Sequence, residues 1–274
     1  MTLRITALTL AVALTGCPAP ETETETETDT DTDTYTVTED LWAFPRIIFA
    51  SPDLSEETCG EDDEGMACVD IYVGDGTVPA NEDGPVPFGA DTTYITFVPG
   101  EWEVHLVPAG EDNEAENRVL SVDVNLEPNE YRTAVVYGST EFDLEDVTTI
   151  EDDLTEPPAG DAALRVFHAS SANATATPTV TIGGEEVASE VTFGSFASAV
   201  EIEAGDELVI SIDADNDDDA DFVGEIDLSD GGIYDLVLLG PLGDAPFLAF
   251  LYDGVENEPV QVVLVPPGLL NGLE

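Results

Sequence analysis

Val119-Leu120-Ser121-Val122-Asp123-Val124 alternates apolar and polar residues after its first pair. A period of two puts one set of side chains on each face of a strand, so this stretch reads as a half-buried β-strand. Similar runs, one of which contains it, are spaced along the chain. They are Thr92–Val98, Trp102–Val107, Arg118–Asn125 and Tyr131–Tyr137, then Thr179–Ile182, Ala199–Glu203, Leu208–Asp213, Phe222–Leu228 and Ile233–Leu239. Gly, Pro, Asn and Asp separate them, and no stretch holds a helical period beyond a turn or two. Gly183-Gly184 reads as a hairpin turn. Phe247–Tyr252 and Val260–Val265 read as two closing strands. Many short strands at this spacing predict an all-β chain of antiparallel, Ig-like β-sandwiches.

The strands belong to an internal repeat. Arg46-Ile47-Ile48-Phe49-Ala50-Ser51 is answered 119 positions later by Arg165-Val166-Phe167-His168-Ala169-Ser170. Val86-Pro87-Phe88-Gly89 is answered by Val191-Thr192-Phe193-Gly194, and Pro99-Gly100-Glu101 by Ala204-Gly205-Asp206. Tyr131…Gly138 is answered by Tyr234…Gly240. The predicted organisation is a first sandwich over 41–150, a Pro-containing acidic linker over 151–160, and a second sandwich over 161–274. The first copy carries a longer insertion between Ser51 and Val86.

Phe49–Asp53 (FASPD), Val69–Gly76 (VDIYVGDG), Pro87–Gly89 (PFG) and Val98–Leu106 (VPGEWEVHL) resemble the domain-of-unknown-function family numbered 4397. The second copy matches more loosely through RVFHAS, TVTIGGEEV, TFG and EAGDELVISI. The resemblance covers about four fifths of the chain. It implies exported bacterial β-sandwich modules, often in tandem, and supplies no catalytic residues.

The N-terminus reads as an export signal. Arg4 precedes a run over Ile5–Leu14 interrupted by two threonines, followed by Leu14-Thr15-Gly16-Cys17. As a helix that run would reach ~15 Å, about half a bilayer core, so it is a signal segment and not a span. LTGC resembles the bacterial lipobox. Residues 1–16 are then a lipoprotein signal peptide, and Cys17 is the lipidation site and mature N-terminus. Two or three acyl chains suffice for stable anchoring. Pro18 after the cysteine, in place of Asp, suits an outer-membrane lipoprotein facing the periplasm or the exterior. Residues 17–40 contain ETETETETDTDTDT, which has no apolar face and repels itself, so they read as an extended tether. Pro18–Asp40 could span up to ~75 Å.

Charge excludes several functions. There are 61 Asp+Glu against 5 Lys+Arg, all five arginine. No basic footprint exists for nucleic acid, and no lysine for Schiff-base chemistry. With Arg4 removed, four arginines face 61 acids, a net charge of −57. Such self-repulsion opposes folding and is screened by salt, which resembles adaptation to high salinity. The melting temperature is therefore expected to rise with sodium chloride up to molar concentration; a flat response would refute the electrostatic reading.

Candidate chemistry is sparse. Cys59 and Cys68 bracket GEDDEGMA, and in an exported chain their spacing predicts a disulfide. His105 and His168 align with apolar residues of the other copy, which favours structural roles. No GxSxG, HExxH or P-loop occurs. Asp213, Asp215, Asp217 and Asp219 place oxygens at alternate positions, as calcium requires. The Gly and Glu of an EF-hand are out of place, so the run is either a calcium-binding hairpin loop or a solvated acidic turn. Calcium, at ionic strength matched with sodium chloride, separates the two by whether it adds stability. Trp42, Phe44 and Trp102 read as packing residues. The expected function is a lipid-anchored, non-enzymatic surface binding or adhesion module whose partner is a surface protein or carbohydrate. The rivals are a ligand-free spacer and a carboxylate-dependent hydrolase. A binding module requires an exposed apolar patch, and an enzyme a concave polar pocket.

Overall fold

Sixteen strands are described, and their pairing repeats along the chain. The computed structural model describes residues 42–52, 67–77, 79–81, 84–139, 145–171, 174–217, 219–240, 247–253 and 259–265. The signal peptide, the tether, Cys17, Cys59 and most of the insertion lie outside them. In the first half β1 (Phe44–Ala50), β6 (Tyr131–Tyr137) and β7 (Asp146–Glu151) form one sheet in the order β1-β6-β7. The second sheet is β3-β2-β4-β5, from β2 (Cys68–Val73), β3 (Val86–Pro87), β4 (Gly100–Pro108) and β5 (Leu120–Leu126). The second half has the same plan. β8 (Asp161–His168), β11 (Val200–Glu203), β14 (Ile233–Gly240), β15 (Phe247–Asp253) and β16 (Val260–Leu264) order as β11-β8-β14-β15-β16. β9 (Thr179–Ile182), β10 (Glu185–Ala188), β12 (Gly205–Asp213) and β13 (Phe222–Leu228) order as β10-β9-β12-β13. The all-β sandwich architecture is as the alternation predicts.

Three features go beyond the alternation. Each half holds one parallel pair, β1 with β6 and β8 with β14. The chain leaves β1 or β8, builds the opposite sheet, and returns beside its starting strand, a long crossover that parallel pairing requires. β7 is a second finding, since Asp146-Val147-Thr148-Thr149-Ile150-Glu151 has little apolar content to mark it as a strand. The third is a register shift. β12 carries a bulge between Gly205 and Leu208, with Glu207 at φ 53°. Ile210 consequently shares its inward position with Val104, and the position answering His105 is Ser211, not Ile210.

Thr38–Glu274 form one compact unit, and its two halves are packed together. Strands β8 and β14 are buried on both faces. Leu164, Val166, Leu236 and Leu238 face the second sandwich with Ile182, Ile210 and Ile212. Phe167, Val237 and Leu239 join Ile48, Val135 and Tyr137 of the first half in another core cluster. The segment between the halves takes part: Asp152, at the start of the expected linker, is buried.

The repeated Phe-Gly turn explains part of this packing. Gly89 and Gly194 lie at φ +82° and +72°, a region open to glycine and costly for other residues. A methyl group on Gly89 would sit 2.6 Å from Phe250 Cζ, and one on Gly194 2.6 Å from Tyr137 Cζ. Each glycine thus admits an aromatic ring from the other half. Tyr252 Oη donates to Gly89 O at 3.0 Å, and Thr148 Oγ1 donates to Gly194 O at 2.7 Å.

Candidate functional site

Among the described residues three places can carry chemistry: the junction of the halves, an apolar slot in the first sandwich, and the acidic hairpin loop.

At the junction the repeat-related Arg46 and Arg165 converge on one carboxylate, Asp235. Strand pairing sets this up: Arg165 lies beside Asp235, and Arg46 beside Thr133. Arg165 donates from Nε to Asp235 Oδ1 at 2.7 Å and from Nη2 to Oδ2 at 2.9 Å. Arg46 Nη2 donates to Asp235 Oδ2 and, at 2.9 Å, to Thr133 Oγ1. Asp152 ties in the rest. It accepts from Arg165 Nη2 at 2.6 Å, Thr133 Oγ1 at 2.7 Å and Tyr94 Oη at 2.9 Å. Arg46 also lies over the Tyr94 ring at 4.9 Å, and Arg165 over Phe196 at 5.0 Å. Burial opposes the charge of both arginines, but Asp235 and its neighbours outweigh it and raise their pKa values. Burial also raises the Tyr94 hydroxyl, against the pull of Arg46.

A cavity of about 220 Å³ adjoins these groups. Apolar residues such as Ile150, Leu154 and Ile233 line it beside the charged ones, and its two guanidiniums and the carboxylates Asp152 and Asp235 are engaged with one another. The arrangement can hold the halves together.

Asp91 completes the junction, 3.9 Å from Arg46 Nη1. Burial pushes its carboxyl up to about 6 from 3.8, with Arg46 opposing. The folded chain therefore takes up a proton near pH 6, where the unfolded carboxyl stays ionised. Stability from this group rises as pH falls from 7 toward 5. Melts at pH 7.5 and 5.5 are expected to differ less in Asp91→Asn than in the parent chain. An unchanged difference would remove Asp91 as a source.

The slot lies between the sheets of the first sandwich. Ile47, Trp102, Val122, Val124, Ala134 and Val147 line it, and it holds about 50 Å³ of free space. Its size follows from an inequality between the halves. In the second sandwich β16 extends the sheet beyond β15, and an isolated bridge from Val223 to Val265 links it to β13. Among the described residues no strand extends the first sheet beyond β7. Val122 and Val124 of β5 stay half-buried, whereas their counterparts Gly224 and Ile226 are buried. Trp102 Nε1 donates to Val98 O at 2.9 Å, so the indole is fixed at the slot with its ring toward Phe97.

The acidic loop brings together Asp213, Asp215 and Asp221, whose oxygens lie within 4.8 Å of one another. Of the four residues expected as calcium ligands, Asp213 and Asp215 are in this group. Asp217 and Asp219 lie in the same loop, outside the group, where Asp217 Oδ1 accepts the Asp219 N–H at 3.0 Å. Pairing of β12 with β13 supplies Asp221 instead, because it sets that residue across from Asp213. The carboxyl of Asp215 is raised by Asp217 first, with Asp221 and Asp213 adding to it.

The remaining residues have structural surroundings. His105 is fully buried, with Nδ1 2.8 Å from Ser121 Oγ and Nε2 3.7 Å from Glu103. Ser121 and Glu103 are exposed on either side of the buried ring, along one face of the β4–β5 pair. His168 is buried too, edge-on to Phe193. Cys68 is buried at the start of β2. Phe44 stacks on Tyr131, while Trp42 is 47% exposed. No described helix is long and apolar enough to cross a membrane. Sequence reasoning identified Arg46 and Arg165 as repeat markers and missed their role. The available signal was two buried-strand arginines in a chain with five basic residues.

No curated protein matches the chain. The family match is narrower than the resemblance in the sequence implied, running from just before β2 to the first residue of β9. Residues 64–179 match the family described as Domain of unknown function (DUF4397).

Proposed function

We propose that this protein is a lipid-anchored, non-enzymatic binding module of the cell envelope, built from two modules of the matched family. The observation that carries the binding reading is the apolar slot of the first sandwich. The second sandwich closes the same place with its own strand. A spacer has no use for an open apolar edge on one module alone, and exposed apolar surface marks interaction sites. The junction cavity is the place a carboxylate hydrolase would use, and its mutually paired charges favour a structural role. A disulfide between Cys59 and Cys68 would pin the insertion beside β2.

The slot reports on itself through Trp102. In a Trp42→Phe variant, Trp102 is the sole tryptophan, and its emission is expected to shift when detergent-solubilised envelope from the source cells is added. No shift favours the spacer; turnover of an envelope component favours the hydrolase. The anchor is tested separately. Cys17→Ser is expected to move the protein out of the membrane fraction and to change its mature mass. Retention in the membrane with an unchanged mass would end the lipoprotein reading.

A further inference from the structure

We infer that the edge of β7, on which no described strand pairs, accepts an extended peptide segment of a partner protein, apolar at alternate positions and flanked by basic residues. This deepens the binding reading of the slot and rests on it.

The first observation is the internal template. β16 pairs antiparallel with β15, Val262 standing opposite Ala249 and Val260 opposite Leu251. Val262 and Leu264 point inward and are buried in the second core. Sheet pairing makes β7 the counterpart of β15: Val136 pairs with Val147 as Leu238 pairs with Ala249. Val147 is thus the place opposite which an incoming residue would do what Val262 does.

The second observation is the backbone. Asp152 N donates to Tyr131 O, which fixes the alternation of the β6–β7 ladder. Asp152, Ile150, Thr148 and Asp146 then bond toward β6. Val147, Thr149 and Glu151 point their N–H and C=O groups away from it. Val147 N is turned to its neighbour's carboxylate, Asp146 Oδ1, at 2.8 Å. An exposed row of this kind is a template for strand addition.

The third observation is size. About 50 Å³ is far below the several hundred Å³ of a small-molecule pocket. It suits the tips of one or two aliphatic side chains entering from an added strand.

Charge selects the flanks. Asp123, Asp146 and Glu151 are exposed beside residues that line the slot, Arg132 in its lining is paired with Glu130, and the whole chain carries −56. Basic flanks are attracted to this rim. A second copy of the same chain is repelled.

The test uses the full mature chain with Cys17→Ser and Trp42→Phe. The probe is a synthetic peptide with the sequence of residues 260–265, threonine replacing Val263 and Val265 so that apolar and polar residues alternate, between pairs of lysines. Saturable change in Trp102 emission is expected, with slowed hydrogen exchange at Thr149 and Glu151. N-methylation of the peptide amides that would face β7 is expected to weaken binding at least tenfold, as is Thr149→Pro. The methylated peptide requires no change in the protein, so it decides even if Thr149→Pro folds poorly. A same-composition peptide with its alternation broken is expected to bind at least tenfold more weakly. Saturable binding without protection of the β7 amides overturns strand addition and leaves the binding reading standing. So does response to a short alkyl glucoside but not to the peptide. No response to either overturns both. If the chain self-associates and Val124→Lys returns it to monomers, the occupant is a second copy and the proposal falls.

Discussion

Replacing Asp235 with alanine is expected to destabilise the protein by about 3–5 kcal/mol, the range found when one partner of a buried ion pair is removed. Asp235 is the point where both halves meet. Its side chain takes Arg165 in a two-pronged grip and Arg46 from the other half. Without it, Arg46 is left with Asp91 at 3.9 Å, the Asp253 carbonyl at 3.5 Å and the Thr133 hydroxyl. Its charge remains in a buried place with weak compensation. Denaturant midpoints at fixed molar salt would measure the loss. A combined variant separates charge pairing from packing. Changing Arg46 and Arg165 to Met and Asp235 to Leu, with Asp152 and Asp91 to Asn because they would otherwise lose their arginine partners, leaves no orphaned charge of the network and is expected to recover most of the lost stability. A loss below about 1 kcal/mol for Asp235→Ala, as for an exposed pair, would mean that the junction is not held by this network.

Alanine at Gly194 is expected to be the most damaging single methyl group in the described chain. The left-handed backbone there costs a residue with a Cβ about 1–2 kcal/mol. Crowding against the buried Tyr137 ring adds about 1–3 kcal/mol, because that ring is itself held edge-on between Phe167 and Phe193. Gly184→Ala is the control. Its φ is +88° and no atom lies within 4 Å of the added methyl. It should show the backbone cost alone. If the two variants melt together, the Phe-Gly turn is a local necessity and not a contact between halves.

The strands were legible because period-two alternation is a local property. Tyr131–Tyr137, Thr179–Ile182 and Phe222–Leu228 have the bounds read from the sequence. Other matters were not local. Nothing in Phe44–Ala50 says that its partner runs parallel, because alternation is the same in both directions. β7 was hidden in polar residues, and it owes its place to pairing with β6. The register of His105 was displaced by a bulge in the other copy. The junction was the least legible, since Arg46 and Asp235 are 189 positions apart. The repeat announced that Arg46 and Arg165 were equivalent. Only the packing of the halves makes the equivalent residues share a partner.

The confinement of the arginines also decides which proteases can attack this chain. Enzymes that cut after lysine or arginine need that side chain extended into a deep acidic pocket. There is no lysine. Arg46 is 2% exposed and Arg165 is locked to Asp235 and Asp152. Arg118 and Arg132 are largely covered and paired with Asp75 and Glu130. Residues 17–40 hold no basic residue. A trypsin-like protease therefore has no bond to cut in the stretch that would link the folded part to a lipid, and must wait for the halves to come apart before it can cut between them.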